Sequence, residues 1–449
     1  MKSIRIGCGA GCSCDRIEPA ADLIKYGNLD YLVFECLAER TMADNMQSKS
    51  KDSKLGYTPM LRERMERMLK IARQNNVKII TNMGGSNIEE AVKIIIDVAK
   101  KENIEGLKIG VVEGDDILDR IEEYNDFKLN GLDKCICDIK EDIISANIYL
   151  GADGILEALE NGANFVITGR IADASLFIGP IKHEFGWNIY DEHELGQAAL
   201  LGHLLECAGQ LTGGYAADPG YKDIPNLHKL GFPIAEIDET GKFFIDKVKG
   251  SGGEISERLC KEQLIYEIEN PSNYITPDAI VDFTEVTFKE IDKDVVEANG
   301  CRAVGFPDTL KVCLGYHYGF LGEAEISFGG KNSLKKAKLC EDIIRKRLDI
   351  IDLNYDDVQF DYIGYNSLYK NSIIEEIDIS EPFEIRLRMA IRGKRYDDIC
   401  KAIREVDFMY TNGPSGSSGI YTKSRELIGI TSFLIPREDV NVKIKLVEV

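Results

Sequence analysis

Four polar side chains in one stretch of this sequence have the types and the spacing to do chemistry. His203, Glu206, Cys207 and Gln210 recur at intervals of three, four and seven, which puts them on one face of a helix. The segment that carries them, 195–211, is otherwise apolar almost all the way round, with Leu200, Leu201, Leu204 and Leu205 at its centre. A helix without a wet face is a buried helix. Burying an imidazole, a carboxylate and an amide is costly unless each is paired. The stripe therefore reads as a proton-transfer set, with Glu206 and His203 as acid and base, or as a pair that holds a metal. The plainer alternative is a satisfied polar cluster linking two domains. Gly213 and Gly214 follow directly and allow close backbone approach.

The elements that would position this set come before it. VITGR (166–170) reads as a buried strand that stops on Gly169-Arg170 and turns at Asp173. Upstream, strands are predicted over 4–10, 31–38, 77–85, 107–116 and, as a short candidate, 134–139. Helices are predicted over 59–76, 87–103, 117–125 and 154–162. This alternation is the α/β signature, a mostly parallel sheet with flanking helices. Ligands bind such sheets at the carboxyl ends of strands. The strand ends here carry Cys8–Gly11, Glu35–Arg40, Asn82 with Gly84 and Gly85, Asp115-Asp116, and Arg170 with Asp173. After Tyr215 the texture changes to loop, period-two strands and further helices, the pattern of a smaller α+β domain. The predicted division is 1–230, α/β with the site at strand ends, and 231–449, α+β packing on that site.

Composition narrows the partners. The 449 residues include 55 basic and 76 acidic side chains, a net charge of −21. That argues against nucleic acid and against an anionic membrane surface. No uncharged apolar run approaches the ~20 residues of a membrane helix, and the N-terminus is too short in apolar residues for a signal peptide. Twelve Cys without regular spacing fit reduced thiols in a cytoplasmic protein. Cys8, Cys12 and Cys14 do not follow a usual zinc or iron–sulfur pattern.

Further motifs carry two readings each. GCGAG (7–11) is a phosphate-cradling turn or only a tight strand-to-helix turn. Arg16, beside Asp15, and Arg40, beside Glu39, suit bidentate capture of a substrate carboxylate or form structural ion pairs. KGSGGE (249–254) and NGPSGSSG (412–419) are lids, phosphate wraps or plain turns. P-loop, G-x-S-x-G, H-E-x-x-H and kinase signatures are absent from the sequence.

The chain resembles the acyclic terpene utilisation (AtuA-like) family. The resemblance is carried in order by GCGAG…DRIEPA (7–20), LDYLVFECLAERTMA (29–43), KIITNMGGSN (78–87), ITGRIADASLFIGPIKHEFGW (167–187), GHLLECAGQLTGGYAADPGYKDIPNLHKLGFPIAEI (202–237), GSGGE (250–254), KEQLIYEI (261–268) and TPD (276–278). Cys12 and Cys14 depart from the apolar or small residues expected there. The resemblance implies a cytoplasmic bacterial protein of branched acyclic acid or thioester breakdown. It also implies a small ferredoxin-like partner subunit, since longer family members carry such a domain at their C-terminus.

Together these readings predict an oligomeric catabolic enzyme, a hydratase/dehydratase or isomerase acting on a branched small carboxylate or its CoA thioester. Glu206, His203, Asp173 and Arg170 are the expected catalytic residues. Arg16, Arg40, Asn82, Gly84, Gly85, Gln210, Gly213 and Gly214 are the expected substrate contacts, with the glycine N–H groups stabilising an enolate-like charge. Two alternatives stand beside this. One is a non-catalytic subunit that binds an acyl carrier or partner enzyme. The other is a metal-dependent hydrolase, with a divalent metal held by Asp115 and Asp116 together with Glu206 and His203.

Overall fold

The computed structural model describes residues 2–187, 191–370 and 382–449. They form two compact units, Met1–Gly315 with Ile430–Val449, and Tyr316–Gly429.

The first unit is built on a ten-stranded sheet. At its centre five strands run parallel in the spatial order Ser3–Ala10, Tyr31–Phe34, Lys78–Thr81, Phe165–Thr168, Lys108–Glu113. Tyr31, Leu32, Val33 and Phe34 are all fully buried. Neighbours along a strand point to opposite faces, so both faces of this sheet are covered. The covering helices pack in two series. Glu18–Tyr26 lies on Leu61–Gln74, which lies on Ile88–Lys101, while Asp153–Glu160 lies on Ser175–Phe185, which lies on Glu192–Leu205.

Antiparallel strands extend the sheet at both ends. Pro233–Asp238 pairs with Ser3–Ala10, followed outward by Phe243–Lys247, Val295–Asn299 and Thr287–Asp292. At the other edge Lys443–Glu448 pairs with Lys108–Glu113. The class is α/β, but the sheet is mixed rather than mostly parallel. These additions also overturn the division at residue 230. Period two shows that a segment is a strand, yet it does not say which sheet the strand joins. Most strands read as a second domain complete the first.

Among the described residues the second unit has the chain order strand, helix, strand, strand, helix, strand. Its four strands lie in the spatial order Asp357–Ile363, Glu384–Gly393, Thr309–Gly329, Ser417–Pro436, the first and last strands of the unit being shared with the first unit along the chain. This is the split β-α-β of ferredoxin-like folds. Its core joins Ile326, Phe328, Leu387 and Met389 from strands to Ile344, Leu348 and Ile399 from helices.

Local differences have local causes. Residues 134–139 form a 3₁₀ turn at Ile136–Asp138 instead of a strand, tied by the Cys135 N–H to the Asp138 carboxylate at 2.8 Å. Residues 117–125 are also 3₁₀, over Leu118–Tyr124. The polar-striped helix stops at Leu205 and resumes as a short 3₁₀ turn at Ala208–Gln210. No helix among the described residues is long and apolar enough to cross a membrane.

Where the loop before Ile88–Lys101 packs on the sheet, glycine is required. A Cβ on Gly84 would lie 2.5 Å from the Thr168 carbonyl oxygen and 2.8 Å from Ile88. Gly84→Ala is therefore expected to cost about 1–3 kcal/mol through overpacking. Urea unfolding of the variant measures this, and an unshifted midpoint would contradict so close an approach.

Candidate active site

A cavity of about 820 Å³ opens where three parallel strands end. Ser3–Ala10 delivers Gly11, Cys12, Asp15 and Arg16. Tyr31–Phe34 delivers Glu35, Leu37 and Glu39. Phe165–Thr168 delivers Arg170 and Asp173. The remaining wall comes from Glu206, Cys207, Gln210 and Gly214, from Tyr266 and Glu267, and from Tyr149, Tyr274 and Lys311.

The charged groups differ sharply in state. Burial pushes the Glu35 carboxyl well above the usual range, the charge of Asp173 adds to this, and Arg170 opposes it. Its Oε1 accepts the Leu37 N–H at 2.8 Å and the Asn82 amide at 3.0 Å. Burial likewise pushes Asp173 up to about 7, against Arg170 and with the help of Glu206. The Asp173 side chain remains 35% exposed, so water in the cavity moderates this shift without reversing it. Glu39 goes the other way. Burial alone would raise it, but Lys311 at 2.8 Å, Tyr149 and Arg170 hold it at about 2. One cavity thus contains carboxyls biased toward opposite protonation states.

Arg170 is the hub beneath them. Its backbone N–H donates to Asp115 at 2.8 Å, its Nη2 to Asp173 at 2.9 Å and its Nη1 to the Leu37 carbonyl. Its guanidinium stacks 3.9 Å over the Tyr149 ring.

His203 is buried and donates from Nε2 to the Leu264 carbonyl at 3.1 Å. A carbonyl can only accept, so this nitrogen carries the proton. Nδ1 then faces Glu206 Oε1 at 3.2 Å, and one further proton must sit between them. Burial alone would lower the imidazole's value, but the hydrogen bond and charge of Glu206 raise it. Below 6.5 the pair is an imidazolium–carboxylate that stores a proton at the cavity wall. Because the folded value lies above 6.5, this contribution to stability is complete below 6.5 and is lost as pH rises through the folded value. The gap in melting temperature between wild type and His203→Asn is expected to shrink over that rise. A gap that stays constant would argue for a neutral imidazole.

A model of the acyclic terpene utilisation family protein AtuA matches residues 4–446. The chain belongs to the AtuA family. No curated protein and no solved structure matched it. The family is named for the use of acyclic terpenes, which is a catabolic role.

In this AtuA family chain the cavity gathers Glu206, Asp173, Arg170, Arg16, Gln210 and Gly214. His203 reaches it only through Glu206. Asn82 is buried beneath Glu35 and also accepts the Cys36 N–H at 2.8 Å, so it positions and does not line. Arg40 is exposed and sits 3.8 Å from Asp44 on its own helix. Gly84 and Gly85 are not in the cavity wall, and Gly85 donates to the Asn82 carbonyl at 3.2 Å. Gly213 and Gly214 also spend their N–H groups internally, on Gln210 at 3.1 Å and Gly209 at 2.8 Å. None of these glycines offers a free pair of donors for an oxyanion.

Asp115 and Asp116 face a different cavity, of about 460 Å³, beside Asn147 and Lys49. Asp115 is pushed up to about 6 by burial, against hydrogen bonds from the Arg170 N–H and the Asn147 amide. These aspartates are not assembled with Glu206 and His203, so the four-residue metal set is not formed. Among the described residues no three His, Cys, Asp or Glu side chains converge as a metal site.

The GCGAG turn holds its own anion. Asp15 accepts the N–H groups of Gly11 and Cys12 at 2.7 and 3.2 Å, which leaves no phosphate cradle. A Cβ on Gly11 would sit 2.4 Å from the Cys207 backbone, so this glycine brings the loop against the helix end. The buried Arg64 braces the same loop through the carbonyls of Cys12 and Asp15. In the 249–254 turn, Gly252 and Gly253 donate to the Lys229 and Pro225 carbonyls, so these two N–H groups are spent within the fold. The 412–419 stretch belongs to the second unit.

Sequence reasoning missed Tyr149, Tyr266, Glu267, Tyr274 and Lys311 as site residues, and gave Glu35 and Glu39 no catalytic weight.

Proposed function

We propose that the chain is a catabolic enzyme that moves protons at a branched small carboxylate or its thioester, as a hydratase/dehydratase or an isomerase. One observation carries this reading: Asp173, pushed up to about 7, shares a cavity with Glu39, held ionised at about 2, and with Glu206 on its imidazolium partner. Groups whose environments push their protonation apart are the mark of acid/base chemistry.

In this mechanism Glu206, oriented by His203, takes the proton next to the substrate carbonyl. Asp173 supplies a proton to the departing hydroxyl, or to the far carbon in an isomerisation. The phenol of Tyr274, which burial keeps protonated far into the alkaline range, is a neutral donor for the developing enolate oxygen. Tyr266, pushed up to about 12 by burial and by Glu267, spends its O–H on that carboxylate. Arg170 does not grip substrate, because its side chain is buried and its Nη1 and Nη2 serve Leu37 and Asp173. Its role is to hold Asp173 and Tyr149 in place.

Exchange in deuterium oxide tests this directly. Branched carboxylates and their thioesters are incubated with the protein, and loss of the proton next to the carbonyl is followed by NMR. Catalysed exchange is expected. No exchange across the panel would remove the proton-transfer reading.

A further inference from the structure

We propose that this cavity is the middle of a three-part site for an acyl thioester of a phosphorylated carrier of the coenzyme A kind. The inference rests on the reaction-site reading above and names its substrate class.

The central cavity shares walls with two others of different chemistry. On one side a cavity of about 770 Å³ shares Arg16 and Leu230 with it. Its lining includes Arg16, Lys229, Lys247 and Lys249. In a chain of net charge −21 such a gathering of cations runs against the background. Lys247 is occupied by Asp294 at 3.4 Å. Among the described residues Arg16, Lys229 and Lys249 have no carboxylate within ion-pair distance, and the Arg16 guanidinium donates only to the carbonyls of Leu227 and His228. The acidic residues of this lining are Glu18, Asp22 and Asp246, the last already paired with Arg5 at 3.1 Å. Three cations with no carboxylate at ion-pair distance, of which Lys249 lies near enough to Asp246 to oppose its upward shift, line a concave surface that suits the separated phosphates of a nucleotide handle.

On the other side a cavity of about 660 Å³ shares Tyr149, Asp173, Tyr274 and Lys311 with the centre. Beyond these its lining is largely apolar, with Ile275, Ile280, Phe306 and Leu434 beside Thr276, Asp308 and Thr309. Ile275 is 58%, Phe306 37% and Leu434 50% exposed, so apolar surface lies open beside the acid/base cluster. Such surface is suited to a hydrocarbon chain.

The order is therefore cations, proton-transfer groups, apolar slot. An acyl thioester has the same order: phosphates, carbonyl, hydrocarbon. A free acid ends at its carboxylate and would leave the cationic end unused.

Calorimetry with adenosine 3′,5′-bisphosphate, the nucleotide end of such a carrier, tests the cationic part without any turnover. Saturable binding is expected, at least tenfold weaker in Lys229→Glu/Lys249→Glu. These side chains are exposed, and near-ultraviolet circular dichroism confirms the fold. A series of saturated acyl-CoA thioesters tests the apolar part. Affinity is expected to climb by up to about fourfold per methylene, and Phe306→Asp/Leu434→Asp should flatten the climb. Absent bisphosphate binding, or binding indifferent to the lysine reversals, overturns the three-part site. Catalysed exchange on a free acid with no nucleotide binding would also overturn it, yet leave the proton-transfer reading intact. Nucleotide and chain-length dependence without any exchange would do the reverse.

Discussion

Asp173→Asn is expected to lower turnover by roughly 10²–10⁴-fold, the usual worth of a positioned acid. An amide of the same shape keeps the contact to Arg170 but has no proton to give. The pH profile separates this from a packing effect. With Asp173 at about 7, the wild type should lose activity as pH rises through that value, since the acid must be protonated to act. In Asp173→Asn the residual activity should show no such limb. Glu206→Gln should fall by a similar factor. A variant that keeps both rate and alkaline limb would mean that another group supplies the proton. The same upward shift has a thermodynamic side. Between 3.8 and about 7 the folded protein holds a proton that the unfolded chain releases, so this contribution to stability falls as pH rises across that window.

Arg170→Ala is expected to cost about 3 kcal/mol of stability, the low end of the range for removing one partner of a buried ion pair, because the Asp173 side chain is 35% exposed. That is a large part of the roughly 5–15 kcal/mol that holds a folded domain. Three losses coincide. The Leu37 carbonyl loses its donor, Asp173 loses its counter-charge, and the Tyr149 ring loses its stacking partner. Arg170→Lys keeps a charge but not the planar fork, and should recover only part of the loss. Urea unfolding with matched slopes measures both. If Arg170→Ala unfolds like the wild type but no longer binds substrate, Arg170 grips ligand and the hub described above is wrong.

The parallel centre of the sheet was legible because strands covered on both faces become near-continuous apolar runs, as in Tyr31–Phe34. The strand ends were legible for the same reason, and with them Arg170 and Asp173. The stripe of His203 and Glu206 was legible from helical spacing alone. Other parts have no local signal. Tyr149, Tyr274 and Lys311 come from three separate segments, and only the folded sheet brings them to Asp173. Glu35 was placed at a strand end, but nothing local shows that its carboxyl is buried against Asn82 and the Leu37 N–H. Gly84, Gly85, Gly213 and Gly214 were read as donors because glycine permits close approach. In each case the close approach serves packing or a tight turn, a choice that depends on neighbours distant in sequence.

The strand Lys443–Glu448 has a consequence for how the protein is made. It closes an edge of the central sheet against Lys108–Glu113, yet more than three hundred residues separate the two along the chain. The second unit, Tyr316–Gly429, is contiguous and leaves the ribosome before that last strand. During synthesis the edge of Lys108–Glu113 therefore waits with its hydrogen-bonding groups unpaired, while a later-made unit already has all its residues. An unpaired edge is a template for the wrong partner. A chaperone that shields extended backbone on the nascent chain would matter most between the emergence of these two segments.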